Sequence, residues 1–175
     1  PNGGIRYFSS CSRLRQTEKV EIFMIMEYNN NKKSENNIME IRLAKITDID
    51  GWMVLVNKVK NSFPGLETTE ALNEHRASAL DFIRNNSAIC TVPENRLVGS
   101  LLFSRDQNML CFLAVDPDYR RHHIAEQMVD YMLGFMNPQG DVVVTTYREG
   151  VSEGIAARAF YKHLGFTEGK LKEEF

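Results

Sequence analysis

The sequence predicts a single α/β domain with a mixed central sheet flanked by helices. Three observations predict it. Apolar runs of strand length alternate with segments whose apolar residues recur at helical spacing. One run, Met109 to Val115, is apolar throughout, as a central strand covered on both faces would be. That same run passes through a turn directly into an amphipathic helix.

Composition bounds the function classes. The chain has 175 residues, 43% hydrophobic and 25% charged, an ordinary balance for one globular domain. Its 21 basic and 23 acidic residues leave a net charge of −2, which argues against a nucleic-acid or anionic-membrane partner. No apolar run approaches the roughly 18 residues of a membrane span, and the N-terminal one, Ile22 to Met26, is flanked by Glu21 and Glu27. A soluble, cytoplasmic protein is expected. The three cysteines, Cys11, Cys90 and Cys111, are odd in number and lack a C-x-x-C pattern, so they read as reduced thiols, with no metal site. Cys90 and Cys111 are expected in the core.

Residues 1–38 hold six asparagines, including Asn29-Asn30-Asn31 and Asn36-Asn37, and so polar a stretch is expected to be a poorly ordered extension. Within it, Val20 to Tyr28 is the only part able to form a strand, and 29–38 reads as a linker. The domain proper is expected over 39–175. It opens with a strand, Glu40 to Ala44. Thr47 and Asp50 then form a capping box for a helix that turns Trp52, Leu55 or Val56, and Val59 inward, and Phe63-Pro64-Gly65 ends it. Thr69 caps a second helix with Leu72, Ala79, Phe82 and Ile83 on one face, closed by Asn85-Asn86. Two strands follow, Ala88 to Val92 and Leu97 to Phe103, joined by the turn Pro93-Glu94-Asn95. After the apolar strand Met109 to Val115, a helix is marked by Ile124, Met128, Tyr131 or Met132, and Phe135. Asp141 to Tyr147 is a further strand, and Ser152 to Leu164 is a last helix stopped by Gly165.

The informative segment is Leu113-Ala114-Val115-Asp116-Pro117-Asp118-Tyr119-Arg120-Arg121-His122-His123-Ile124-Ala125. A buried strand that feeds a helix through a short turn leaves the free N–H groups of the first helical turn at the sheet's end, where they suit a phosphate. Arg120 and Arg121 add positive charge at the positive end of the helix dipole, where acidic residues are normally favoured. An anionic ligand and a solvated basic helix start both explain that placement.

These residues resemble the GNAT superfamily of acetyl-CoA-dependent N-acetyltransferases. The family signature is an apolar strand ending near Val-x-Pro, then [Arg/Gln]-x-x-Gly-x-[Gly/Ala] opening a helix. Here Val115-Asp116-Pro117 precedes Arg120-Arg121-His122-His123-Ile124-Ala125. A second block of the family, an aromatic and a tyrosine before Leu-Gly-Phe, stands as Phe160-Tyr161-Lys162-His163-Leu164-Gly165-Phe166. Three positions depart from the pattern. His123 replaces the signature glycine, Gly154 stands where many members carry asparagine, and the chain stops at Phe175, which predicts a sheet one strand short.

The resemblance implies a GNAT-like domain with acetyl-CoA as cosubstrate and direct acetyl transfer to a small-molecule or peptide amine. Leu113, Ala114 and Val115 would line the pantetheine arm. Arg120, Arg121, His122, His123, Ile124, Ala125 and Glu126 would hold the pyrophosphate, with Arg158 as a further cofactor contact. Tyr161 matches the acid that protonates the departing thiolate. The resemblance leaves the base unassigned, because Gln107 to Val115 contains no carboxylate. Glu149 is one candidate, and Glu67, Glu70 and Glu74 are others near the expected acceptor side. A non-catalytic CoA-binding or interaction module on the same fold is the alternative that His123 and the short tail motivate. An unpaired sheet edge would also favour association of two copies.

Overall fold

Side chains alternate across a strand, so a strand that is apolar at every position needs a hydrophobic layer on each side. The computed structural model, which describes residues 20–26 and 39–169, meets that need. The elements run β1 (Val20–Met26), β2 (Ile41–Leu43), α1 (Ile49–Val59), α2 (Thr69–Arg84), β3 (Ala88–Thr91), β4 (Gly99–Ser104) and β5 (Met109–Val115). They continue with α3 (Ile124–Leu133), β6 (Val142–Tyr147), α4 (Ile155–His163) and β7 (Thr167–Glu168). Ile89, Leu101, Phe103 and Leu110 pack with Ile124, Met128 and Met132 of α3 and with Tyr161 of α4 on one face. Ala88, Cys90, Leu102 and Phe112 pack with Trp52, Leu55 and Val56 of α1 and with Phe82 and Ile83 of α2 on the other. The result is a three-layer α/β domain. Among the described residues, no helix is long and apolar enough to cross a membrane.

The seven strands form one sheet in the order β2-β3-β4-β5-β6-β1-β7. All neighbours are antiparallel except β5 and β6, whose parallel pairing follows from the crossover through α3.

Two expectations about the chain's ends are corrected here. The stretch 1–38 is not wholly an extension, because its residues Val20–Met26 lie inside the sheet, antiparallel to β6 from Val20↔Tyr147 to Met26↔Val142. A polar average concealed a local apolar run: Met24 and Met26 are 0% and 9% exposed and belong to the core beside Tyr161 and Phe166. Nor does the sheet end at the Gly-Phe block. The short β7 pairs with β1 through Met24↔Glu168 and Ile25↔Thr167. Cys11, the linker 29–38 and the residues after 169 lie outside the described residues.

Helix starts differ from expectation by small shifts. Thr68 rather than Thr69 caps α2, its Oγ1 accepting from the Ala71 N–H at 3.1 Å. At α1 the N-cap is Asp48 rather than Thr47, and its side chain makes no capping bond to that helix but closes the preceding 3₁₀ turn Ile46–Asp48. Its carboxylate accepts the Lys45 N–H at 2.7 Å and both Nη atoms of Arg42, at 2.7 and 2.9 Å.

Between α1 and α2, the Trp52 indole N–H donates to His75 Nε2 at 3.2 Å, and the imidazole lies tilted against the Phe112 ring with the centroids 4.7 Å apart. Burial draws His75 down to about 4 from its ordinary value, so the fold holds it neutral. Its folded value lies below its unfolded value, so its stabilising contribution is present above about pH 6.5 and is lost as pH falls toward 4. Acid titration of denaturant stability should therefore show a loss of roughly 3 kcal/mol in that window, and His75→Phe should flatten it. For β1, Met24→Ala should cost about 2–5 kcal/mol in urea unfolding; an unchanged midpoint would mean the strand adds nothing to the core.

Candidate active site

The site begins with one extra residue. Across the β4–β5 pair, Leu102 faces Phe112 but Phe103 faces Leu110, so Cys111 is a bulge on β5. Its sequence consequence is that Cys111 and Phe112 both turn toward the α1/α2 layer, breaking the alternation that puts Leu110 and Leu113 on the other side. On the opposite edge, β5 pairs with β6 only at Met109↔Val143 and Leu110↔Val144. Beyond that point the strands part, one running to Val115 and the other to Tyr147. A cavity of about 660 Å³ occupies the wedge, lined by Leu110 to Val115 on one side and Val144 to Tyr147 on the other.

Helix α3 closes one end of this wedge. Arg120, Arg121, His123, Ile124, Ala125 and Glu126 all line it. The first bond of the helix is Gln127 N–H to His123 O at 3.0 Å, so the N–H groups of Ile124, Ala125 and Glu126 have no partner within the helix. Arg121 and His123 have positive φ, 65° and 57°, the left-handed conformation that residues with a side chain seldom adopt. His123 is the N-cap of α3, and its ring lies 3.1 Å from the Glu126 carboxylate. Among the described residues, Arg120 and Arg121 form no ion pair.

The far side of the wedge is built by α1 and α4. Val59, Ser62, Phe63 and Pro64 line it, with the Phe63 ring 4.8 Å from Phe112. Tyr147 Oη donates to Ser62 O at 3.0 Å and so ties β6 to the end of α1. Burial, then the charges of Glu153 and Glu67, push the Tyr147 phenol up. Gly154 backs Tyr147 so closely that a Cβ there would sit 2.2 Å from Tyr147 Cβ, which explains glycine at this position. Tyr161, 8% exposed, also lines the cavity between the rings of Phe160 and Phe166. Burial alone pushes its phenol well above the ordinary tyrosine value.

The structure thus brings together Leu113, Ala114, Val115, Arg120, Arg121, His123, Ile124, Ala125, Glu126 and Tyr161. Three expected residues lie outside this lining. Glu149 is exposed on the turn after β6, and His122 is exposed beside the turn; neither lines the cavity. Arg158 is only 7% exposed and faces away from it, donating to Tyr147 O at 3.2 Å and pairing with Glu168. A buried guanidinium needs those acceptors, so it ties α4 to β6 and β7. Glu67, Glu70 and Glu74 are exposed outside the lining, Glu67 accepting the Gly65 N–H at 2.8 Å. Cys111, expected in the core, is half-buried in the cavity wall. Sequence reasoning missed Glu153, Tyr147 and Phe63, which carry no local motif and meet only through the tertiary fold.

Comparison with known proteins agrees with this geometry. A family model described as an acetyltransferase (GNAT) domain matches residues 85–168. The chain is similar to the [ribosomal protein bS18]-alanine N-acetyltransferase of Escherichia coli K12, with 25% identity over 115 residues, 66% of this chain and 72% of that protein. Its fold is similar to that of the PaiA N-acetyltransferase from Thermoplasma acidophilum in complex with coenzyme A. That match has a TM-score of 0.59 at 16% identity and covers 77% of this chain and 92% of that one. A similar match is the structure of AAC(6')-Iy in complex with the bisubstrate analogue CoA-S-monomethyl-acetylneamine, with a TM-score of 0.55 and 16% identity over 79% of this chain and 97% of that one. The wedge and the α3 terminus thus lie within the segment that matches the GNAT acetyltransferase domain, a match that supports an acyltransferase enzyme.

Proposed function

We propose that the chain transfers the acetyl group of acetyl-CoA to a primary amine by direct attack, with both substrates bound together. The observation that carries this reading is the meeting of two features in one cavity: unpaired strand edges beyond Leu110 and Val144, and the open N-terminus of α3 with its two arginines. An extended, amide-bearing arm suits the edge of β5 at Leu113 and Val115, where it would pair like an added strand. A pyrophosphate suits the N–H groups and cations at the other end. The cavity of about 660 Å³ joins both features in one space.

The chemistry needs a neutral amine, stabilisation of the developing oxyanion, and a proton for the departing sulfur. Backbone N–H groups near Val115 would meet the second need. As the amine nitrogen forms its bond to the carbonyl carbon, the carbon–sulfur bond breaks and the thiolate takes the Tyr161 phenolic proton. A phenol held high by burial stays protonated until that strong acceptor appears. Glu153 is the lining carboxylate beside Tyr147, and we assign it to attract the cationic amine and to take its proton directly or through water. The aromatic faces of Phe63 and Tyr147 favour the same cationic class of acceptor, a small molecule or a peptide amine.

Release of free CoA thiol in the presence of a primary amine tests this reading. Tyr161→Phe should lower kcat by about a hundredfold or more while leaving acetyl-CoA binding intact, since the ring packing survives. Full activity in that variant would give the acid role to another group. For the left-handed N-cap, His123→Gly should relieve roughly 1 kcal/mol of backbone strain. Melting temperature should rise, and the CoA-induced melting shift should stay constant or grow. A smaller shift would identify the imidazole as a phosphate ligand.

A further inference from the structure

Outside the cavity, the most constrained charged group is Asp116, at the junction of β5 with the turn that leads to α3. It is 2% exposed. One oxygen accepts from Lys58 Nζ at 2.6 Å and from the Asp118 N–H at 3.0 Å, and the other accepts from Arg96 Nη2 at 2.9 Å. Lys58 also reaches Asp118 Oδ2 at 2.7 Å. Arg96 lies over the Tyr119 ring, 5.5 Å from its centroid. Asp116, Asp118 and Tyr119 of this turn are therefore tied to Lys58 and Arg96 from other parts of the fold.

The origin of Lys58 gives this network a consequence. Lys58 sits on α1, one residue before Val59 and just before Ser62, Phe63 and Pro64, which form the acceptor wall. The turn it grips continues into Tyr119, Arg120, Arg121 and His123, which form the coenzyme end. The two halves of the site lie on different elements, and Lys58 bridges them with two charge-assisted hydrogen bonds, one to a buried carboxylate. Such a bond to a buried acceptor holds geometry far better than an exposed pair does.

We propose that Lys58 is a positioning residue for acetyl transfer, fixing the coenzyme-binding turn against the acceptor wall through Asp116 and Asp118. The inference rests on the reading of the cavity as an acetyl-CoA site. It predicts that loosening this tie misplaces the turn that holds the coenzyme without removing any group that reacts.

The test is Lys58→Met, which keeps the aliphatic stem and removes the charge, with Lys58→Arg as the rescue. In steady-state thiol-release assays, Lys58→Met should raise the KM for acetyl-CoA about tenfold and change kcat less than about twofold. Its CoA-induced melting shift should shrink in parallel, and Lys58→Arg should restore both. A merely structural lysine would lower the melting temperature and leave KM and the CoA-induced shift unchanged, which would overturn the proposal. Should Lys58→Met fail to fold, Asp118→Asn removes the exposed arm of the same tie and is expected to raise the same KM by a smaller factor; an unchanged KM there overturns the proposal too. A wild-type protein that CoA does not stabilise at all would overturn the acetyl-CoA reading itself and this inference with it.

Discussion

The parting of β5 and β6 after only two paired positions is the constraint on which the rest of the site depends. Two parallel strands that stayed together to their ends would satisfy each other's backbone and leave no room between them. Here pairing stops at Leu110 and Val144. The bulge at Cys111 bends β5 at the same level, so the last residues of both strands present unpaired edges to a common space. Buried N–H and C=O groups do not remain unpaired without cost, and an extended ligand able to pair with them is the natural partner.

That opening is stable only because the surrounding elements hold each strand from its other side. β5 is held by β4 along its whole length, from Gly99↔Val115 to Ser104↔Met109. β6 is held by β1, and β1 in turn by β7. Arg158 fastens α4 across the same edge through Tyr147 O and Glu168, so the helix that carries Tyr161 is tied to the strand that carries Tyr147. A guanidinium whose sequence position suggested a ligand contact instead fixes the frame in which the phenol sits.

Electrostatics divides the wedge into two ends. The α3 terminus collects the positive charge of Arg120 and Arg121, which form no ion pair among the described residues, together with N–H groups that have no partner within the helix. The opposite end holds Glu153 with the rings of Phe63 and Tyr147. On the proposed reading, an anionic substrate arm and a cationic acceptor would be drawn to opposite ends and would meet near Val115 and Tyr161. The Asp116 cluster sits beside the first end yet reaches the second through Lys58. Burial disfavours its charge, but hydrogen bonds from Lys58, from the Asp118 N–H and from Arg96 hold the carboxyl below the ordinary aspartate range.

The sequence by itself determined the fold class, the order of the elements from β2 to α4, and the strand-to-helix junction from Val115 to Glu126. Each of these is local: apolar period, capping residues and a turn written in neighbouring positions. It also marked Tyr161, through the block that ends at Gly165-Phe166. Only the tertiary structure decided that Val20–Met26 is a strand of the sheet, because its partner β6 lies more than a hundred residues away and the polar residues around it mask its apolar face. The same holds for which carboxylate reaches the cavity. Glu149 and Glu153 are four residues apart on one loop, and both are exposed. The 3₁₀ turn at Ser152–Gly154, held close to Tyr147 by the missing Cβ of Gly154, puts one in the lining and leaves the other in solvent. No local pattern encodes that choice, because it depends on the distance between two strands that the sequence does not pair.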